Sequence, residues 1–252
     1  MAVARAGAQI CLSLYIPPHR VKTYRPCLSD FARARPSLMR GPLRNGPASF
    51  TCKPMTPDQI LATYDRAADA FDKGRSKSLF ERPWLDRMLA HAPGKRLLDL
   101  GCGTGKPIAT YLRDRRVALT GIDGAKAMVE KYAANVAGAR VFHADMRGLD
   151  MGETFDAVLA WDSFFHLSMA DQRDMFAVFA RHLEAGGVLM FTSGPEAGEA
   201  IGEVGGESLY HASLSPKEYT RLLQMNGFEV LGFTPEDPAC DYHSVWLARK
   251  KA

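Results

Sequence analysis

The residues of this chain best placed to do chemistry are Leu97-Leu98-Asp99-Leu100-Gly101-Cys102-Gly103-Thr104-Gly105, an apolar strand that runs into a glycine-rich turn. Glycines allow positive φ and let a ligand come within contact distance of the backbone, where a Cβ would stand in the way. The spacing is GxGxG followed by Lys106-Pro107-Ile108, so the third glycine of the dinucleotide fingerprint GxGxxG is missing. Asp99, just before the turn, suits a cationic ligand group better than a pyrophosphate. Gly121-Ile122-Asp123 ends the next predicted strand with an acid suited to two ribose hydroxyls, and Gly124 follows it. Taken singly, Asp123 also reads as a helix cap.

These residues must be held by a frame, and the frame is legible from Lys95 onward as strand, turn and helix in repetition. That pattern predicts a mostly parallel sheet with helices on both faces. Strands are expected near 96–100, 117–122, 139–143, 155–161 and 187–193, with helices near 106–114, 125–135 and 169–184. Ser168 and Asp171 cap the last helix, which places Met175, Phe176, Phe179 and Leu183 on one face and stops at Gly186-Gly187. Upstream, Thr56-Pro57-Asp58-Gln59 opens a helix expected to reach Phe71, and a second is expected over Leu79–Ala90. Gly194 to Gly206, rich in Gly and Glu, reads as a mobile loop or lid. A helix from Ser215-Pro216-Lys217-Glu218 to Asn226-Gly227 and two strands near 228–234 and 243–249 complete the chain.

With the turn and the strand-end acids in this order, residues 95–249 resemble the class I S-adenosylmethionine-dependent methyltransferases. The resemblance implies a doubly wound, seven-stranded, mostly parallel Rossmann-like α/β sheet with an antiparallel last strand and a helical N-terminal cover. It also implies S-adenosyl-L-methionine (SAM) as cofactor, with the methionine part in the turn of Asp99, Gly101, Cys102, Gly103 and Gly105. Asp123 with Gly124 would hold the ribose, and Asp145 with Met146, after the third strand, the adenine. Asp145 alone is equally a turn former, and Cys102 reads as a space-filler in the turn, since no base is encoded beside it. Tyr64 matches a position from which such enzymes cover the methionine end, although with Ala68 and Phe71 it also makes an ordinary packing stripe.

The segment after the fourth strand, Trp161-Asp162-Ser163-Phe164-Phe165-His166, should face the transferable methyl group. Relatives that methylate nucleobases or amides carry Asn/Asp-Pro-Pro-aromatic here, so its absence points to another small-molecule acceptor. Trp161 is assigned to the cofactor, and Phe164 and Phe165 to a substrate wall or the core. His166 is assigned to proton acceptance or scaffolding, and Tyr210 and His211 to a substrate contact or a surface turn. No metal is expected: the cysteines show no ligand spacing, and Asp162 could imitate a magnesium ligand but no later Asp-Asn pair accompanies it.

Composition limits the remaining classes. Nine basic residues against Asp30 give residues 1–54 a charge of +8, which leaves −4 on residues 55–252 out of the net +4. A mildly acidic folded part argues against a nucleic-acid surface. Residues 1–54 read as a poorly ordered basic extension, either akin to a transit peptide or translated from a start upstream of Met55. Residues 55–252 read as the methyltransferase domain. No apolar run is long enough for a bilayer, and five scattered cysteines suit a reducing compartment, hence the cytoplasm. The expected activity is methyl transfer to O, N or C of a small molecule. The alternatives are a silent SAM-binding regulatory protein and a nicotinamide oxidoreductase. Acceptor and oligomeric state are left open.

Overall fold

The computed structural model describes residues 55–252, so the basic extension expected over 1–54 lies outside the described residues. Gln59 Oε1 accepts from the Thr56 N–H at 2.9 Å, Pro57–Gln59 forms one 3-10 turn, and helix α1 (Ile60–Gly74) follows. Helix α2 (Arg82–His91) starts later than expected, because Leu79 takes φ +53° and Pro83, which has no N–H to give, stands in the first turn.

From there strand and helix alternate as β1 (Arg96–Leu100), α3 (Ile108–Asp114), β2 (Ala118–Asp123), α4 (Lys126–Asn135), β3 (Arg140–His143), β4 (Phe155–Ala160), α5 (Met169–Arg181) and β5 (Leu183–Ser193). Helix α5 is capped as expected, with Ser168 Oγ accepting from the Asp171 N–H at 3.1 Å. It ends at Arg181, so Leu183 is buried on a strand, paired with Phe155, rather than on the helix face.

The stretch expected to be a mobile loop is instead a hairpin, β6 (Gly198–Val204) with β7 (Glu207–Ser213). Gly205 and Gly206, at φ +58° and +86°, form the two-residue turn, whose backbone twist matches that of antiparallel strands. Low strand propensity in β6 hid it; β7 buries Leu209, Tyr210 and Ala212 and holds it down. Helix α6 (Pro216–Met225), β8 (Phe228–Asp237) and β9 (His243–Lys250) close the chain.

The seven-stranded sheet runs β3-β2-β1-β4-β5-β9-β8, with β9 antiparallel to both neighbours and the pairs from β3 to β5 parallel. Strand alternation sends Leu98 and Leu100 into the core cluster of Phe164, Phe176, Phe179, Phe191 and Trp246, and Leu97 into that of Trp84, Leu85, Met88 and Leu112. Strand order reverses between β1 and β4, so a crevice opens beyond their carboxyl ends. Among the described residues no helix is long and apolar enough to cross a membrane.

Candidate active site

Everything at the crevice begins with the bend after β1. Gly101 takes φ +72°, and a Cβ on it would lie 2.2 Å from Ser163 Cβ, so only glycine lets the chain leaving β4 pass this close. Ser163 Oγ fixes that passage by donating to Leu100 O at 2.6 Å. Two residues on, Gly103 turns its N–H to Asp123 Oδ2 at 2.9 Å. The other oxygen of Asp123 accepts from the Ala125 N–H at 2.9 Å. Asp123 therefore ties the glycine turn to β2 and closes a side-chain turn ahead of α4; the cap reading is corrected, since the N-cap of α4 is Ala125 and no side chain caps it.

Asp99 and Asp123 stand side by side in poor solvent. Burial, with the Asp123 charge added, raises the Asp99 carboxyl to about 7. Burial raises Asp123 to about 6 against the pull of the Ala125 and Gly103 amides. Two carboxyls held this close to neutrality accommodate a cationic ligand readily, since its charge offsets the desolvation that raised them. Asp145 behaves differently: burial pushes it up, but hydrogen bonds from Arg147, including Nη2 at 2.7 Å, outweigh that and hold it ionised. The turn reading of Asp145 also holds, since its Oδ1 accepts from the Arg147 N–H at 2.9 Å.

Helix α1 roofs the crevice. Asp65 Oδ1 accepts from the Ala127 N–H at 2.9 Å, docking α1 on the start of α4, and Leu61 fits against Gly124. Beneath it is a cavity of about 1020 Å³, counting its open mouth. Tyr64, Asp99, Gly101, Cys102, Gly103, Gly105, Asp123, Gly124, Asp145, Met146 and Trp161, all assigned to the cofactor from the sequence, line this one space. Cys102 is buried and its thiol is pushed well up by burial, as suits a filler.

The residues assigned to the substrate side divide. His166 lines the cavity. Phe164 does not: it has no exposed surface and packs on Phe179 and Phe191 at 5.5 and 5.3 Å, so the substrate-wall assignment is corrected to core. Phe165 and His211 are absent from the lining and stack around His166 at 4.9 and 4.7 Å. Tyr210 turns its hydroxyl to Glu199 Oε1 at 2.7 Å, and only its carbonyl reaches His166 Nδ1, at 2.9 Å. The surface-turn alternative for Tyr210 and His211 fails with it, since both lie on β7.

Arg75, which also lines the cavity, escaped the sequence reading, and Asp162 beside it was considered there only as a metal ligand. Arg75 Nη2 donates to the buried Glu81 at 2.5 Å, and its Nη1 lies 3.5 Å from Asp162. Asp162, at φ +49°, also meets His243 Nε2 at 3.0 Å; burial pushes its carboxyl up, but His243 and Arg75 bring it down to about 2. Its partners are thus Arg75 and His243. Arg75 follows α1 directly, and no local motif marks it.

The cavity thus brings together a bend whose second glycine, Gly103, keeps positive φ at the lining, the buried acids Asp99 and Asp123, and Asp145 just beyond the third strand. The fold is a doubly wound, Rossmann-like α/β architecture, as expected from the sequence. Residues 97–187 match the family model described as a methyltransferase domain. Among curated proteins it is similar to 27-O-demethylrifamycin SV methyltransferase of Amycolatopsis mediterranei, 32% identical over 53% of this chain and 57% of the relative. It is likewise similar to O-methyltransferase resE of Aspergillus sclerotiorum, 29% identical over 58% and 59%. The chain therefore spans somewhat over half the length of these two relatives. Among solved structures, the CcbJ methyltransferase from Streptomyces caelestis superposes with a TM-score of 0.63 at 21% identity, over 77% of this chain and all of that one. The SAM-bound amino pentose methyltransferase CalS10 of Micromonospora echinaspora does so at 0.58 and 23%, over 75% and 97%. At these identities the likeness is one of fold.

Proposed function

We propose that this protein transfers the methyl group of SAM to a small-molecule acceptor. The observation that carries the reading is the convergence of the glycine bend with Asp99, Asp123 and Asp145 on one cavity beneath α1. In it Asp99 takes the ammonium of the methionine part, Asp123 the ribose hydroxyls, and Asp145 with Met146 the adenine. Arg75 gives the same cavity a guanidinium for a carboxylate. When bound, SAM supplies a methyl on a positively charged sulfur, already a good leaving group. The chain's own work is then alignment and exclusion of water, with α1 covering the cavity and the β6–β7 hairpin packed behind His166.

Residues 55–252 are taken as one catalytic domain, with a small molecule rather than nucleic acid as partner, in agreement with their net negative charge. A reducing, cytoplasmic setting belongs to the same proposal and is supported by the free, buried Cys102 and Cys240. The test is calorimetry with S-adenosylhomocysteine, followed by incubation of the protein with methyl-labelled SAM and a deproteinised metabolite pool. Binding with label in a new small molecule is expected. Binding without transfer would leave a SAM-binding regulatory protein, and stabilisation by NADH alone would overturn the reading altogether.

A further inference from the structure

The hydrogen bonds around His166 run in one direction only. Its Nδ1 faces Tyr210 O at 2.9 Å, and a carbonyl can only accept, so Nδ1 carries the proton. Nε2 then holds the lone pair, and the Tyr64 hydroxyl, 2.8 Å away, must donate to it. Both ring nitrogens are thus engaged, and an acceptor molecule in the cavity finds no free lone pair on His166. It does find one on the Tyr64 oxygen, since Tyr64 lines the same cavity and spends its only proton on His166. The remaining neighbours hold the pair in place: Tyr64 and His166 meet edge to face at 5.3 Å, and His211 packs against the imidazole at 4.7 Å.

We propose, building on the methyl-transfer reading above, that the acceptor is a hydroxyl compound whose proton passes to the Tyr64 oxygen while the Tyr64 proton passes to His166 Nε2. In the balanced step an O–CH3 bond forms as the S–CH3 bond breaks, and the electron pair of the broken bond stays on sulfur. The acceptor's proton ends, by way of Tyr64, on an imidazolium held by Tyr210 O, and goes to water when the site opens.

The chemistry of this imidazole selects oxygen over nitrogen. Its titratable and charged surroundings are Tyr64 from α1, His211 from β7 and Asp162 beyond β4. Burial outweighs the help of the Tyr210 carbonyl and Asp162 and lowers His166 to about 4, and burial with the His166 charge lowers His211 to about 3. A neutral amine attacks with its own lone pair and leaves a stable ammonium, so it has no need of the proton path from the cavity through Tyr64 to His166 Nε2. A hydroxyl that is gaining a methyl becomes a strongly acidic oxonium, and even a weak base collects its proton at once.

The experiment uses full-length protein and the variants Tyr64→Phe, His166→Gln and the pair together, with methyl-labelled SAM and the deproteinised metabolite pool. Products are sorted by cation exchange into methyl ethers and methylamines. Each single variant should lower transfer by about 100-fold and the double variant should be no worse than either alone, since both outcomes follow from loss of one shared proton path, while His166→Gln should keep its affinity for S-adenosylhomocysteine within about threefold. Independently of activity, the 15N spectrum of the ring nitrogens should show His166 as the Nδ1–H form at pH 6, with an Nε2 signal that moves in Tyr64→Phe. Label in methylamines, Tyr64→Phe within threefold of the wild type, or an Nε2–H tautomer would each overturn the relay. A wild-type protein that binds S-adenosylhomocysteine but transfers no label defeats the methyl-transfer reading instead, and the ring-nitrogen spectrum still decides the Tyr64–His166 pairing.

Discussion

The cavity has two sides built on different plans. One side is made of strand ends: Asp99, Asp123 and Asp145 each sit at or just beyond the carboxyl end of a parallel strand, and parallel pairing alone brings them together. The other side is made of remote pieces, with Tyr64 from α1, His166 from a 3-10 turn after β4 and the Tyr210 carbonyl from the hairpin. The first plan is local and repeats with each βα unit. The second exists only once the tertiary fold is complete, so each side should fail in its own way when damaged.

The largest effect should come from neighbours with opposite fates. Phe164→Ala removes a side chain packed among Phe176, Phe179, Phe191 and Tyr219 and should cost about 3–5 kcal/mol of stability. Phe165→Ala, at a half-buried ring that touches His166 and His211, should cost much less. Chemical denaturation compares them, and equal losses would dissolve the boundary drawn here between core and substrate side.

Next comes Asp123→Ala on the strand-end side. It removes the acceptor of the Gly103 and Ala125 amides as well as the proposed ribose contact, and should weaken S-adenosylhomocysteine binding by about 1.5–3 kcal/mol. Calorimetry reads the loss, and unchanged affinity would place the nucleoside elsewhere.

These two sides were also unequally legible in the sequence. Asp99, Asp123 and Asp145 could be placed because a chain alternating strand and helix delivers successive strand ends to one edge, and the observed strand starts of the seven-stranded sheet fall within a residue or so of expectation except at β5. Phe164 and Phe165 could not be separated, since a single 3-10 turn sends adjacent side chains of one type to different surroundings. The hairpin was hidden because its glycines and glutamates gain their strand conformation from pairing and from α1. Arg75 was hidden because both partners, Glu81 and Asp162, become neighbours only through folding.

A smaller effect is set by pH, and it moves binding and stability in opposite directions. Asp99 at about 7 lies above its ordinary value, so it is ionised and ready for a cation only above that pH. Affinity for S-adenosylhomocysteine, which keeps the ammonium, should fall about tenfold from pH 8 to pH 6, roughly 1.4 kcal/mol. The ligand-free protein should become more stable over the same interval, because its native state binds the proton that the unfolded chain does not. Asp99→Asn should flatten both trends. Affinity independent of pH would remove Asp99 from the cation's side of the cavity.

The smallest effect concerns the hairpin, and it asks how far the remote side depends on a turn outside the cavity. Gly205 stands at φ +58°, and a Cβ there would lie 2.7 Å from the Ala70 Cβ on α1. Gly205→Ala must therefore take up left-handed strain and push the hairpin off the helix, at a local cost of about 1 kcal/mol. Amides of β6 and β7 should exchange about fivefold faster as a result, while affinity for S-adenosylhomocysteine stays the same, because none of the strand-end acids touches the hairpin. If methyl transfer falls although the cofactor still binds, the hairpin acts through the Tyr210 carbonyl that orients His166. Equal loss of binding and transfer would show the two sides to be mechanically one, and the division by plan of construction would then have no functional meaning.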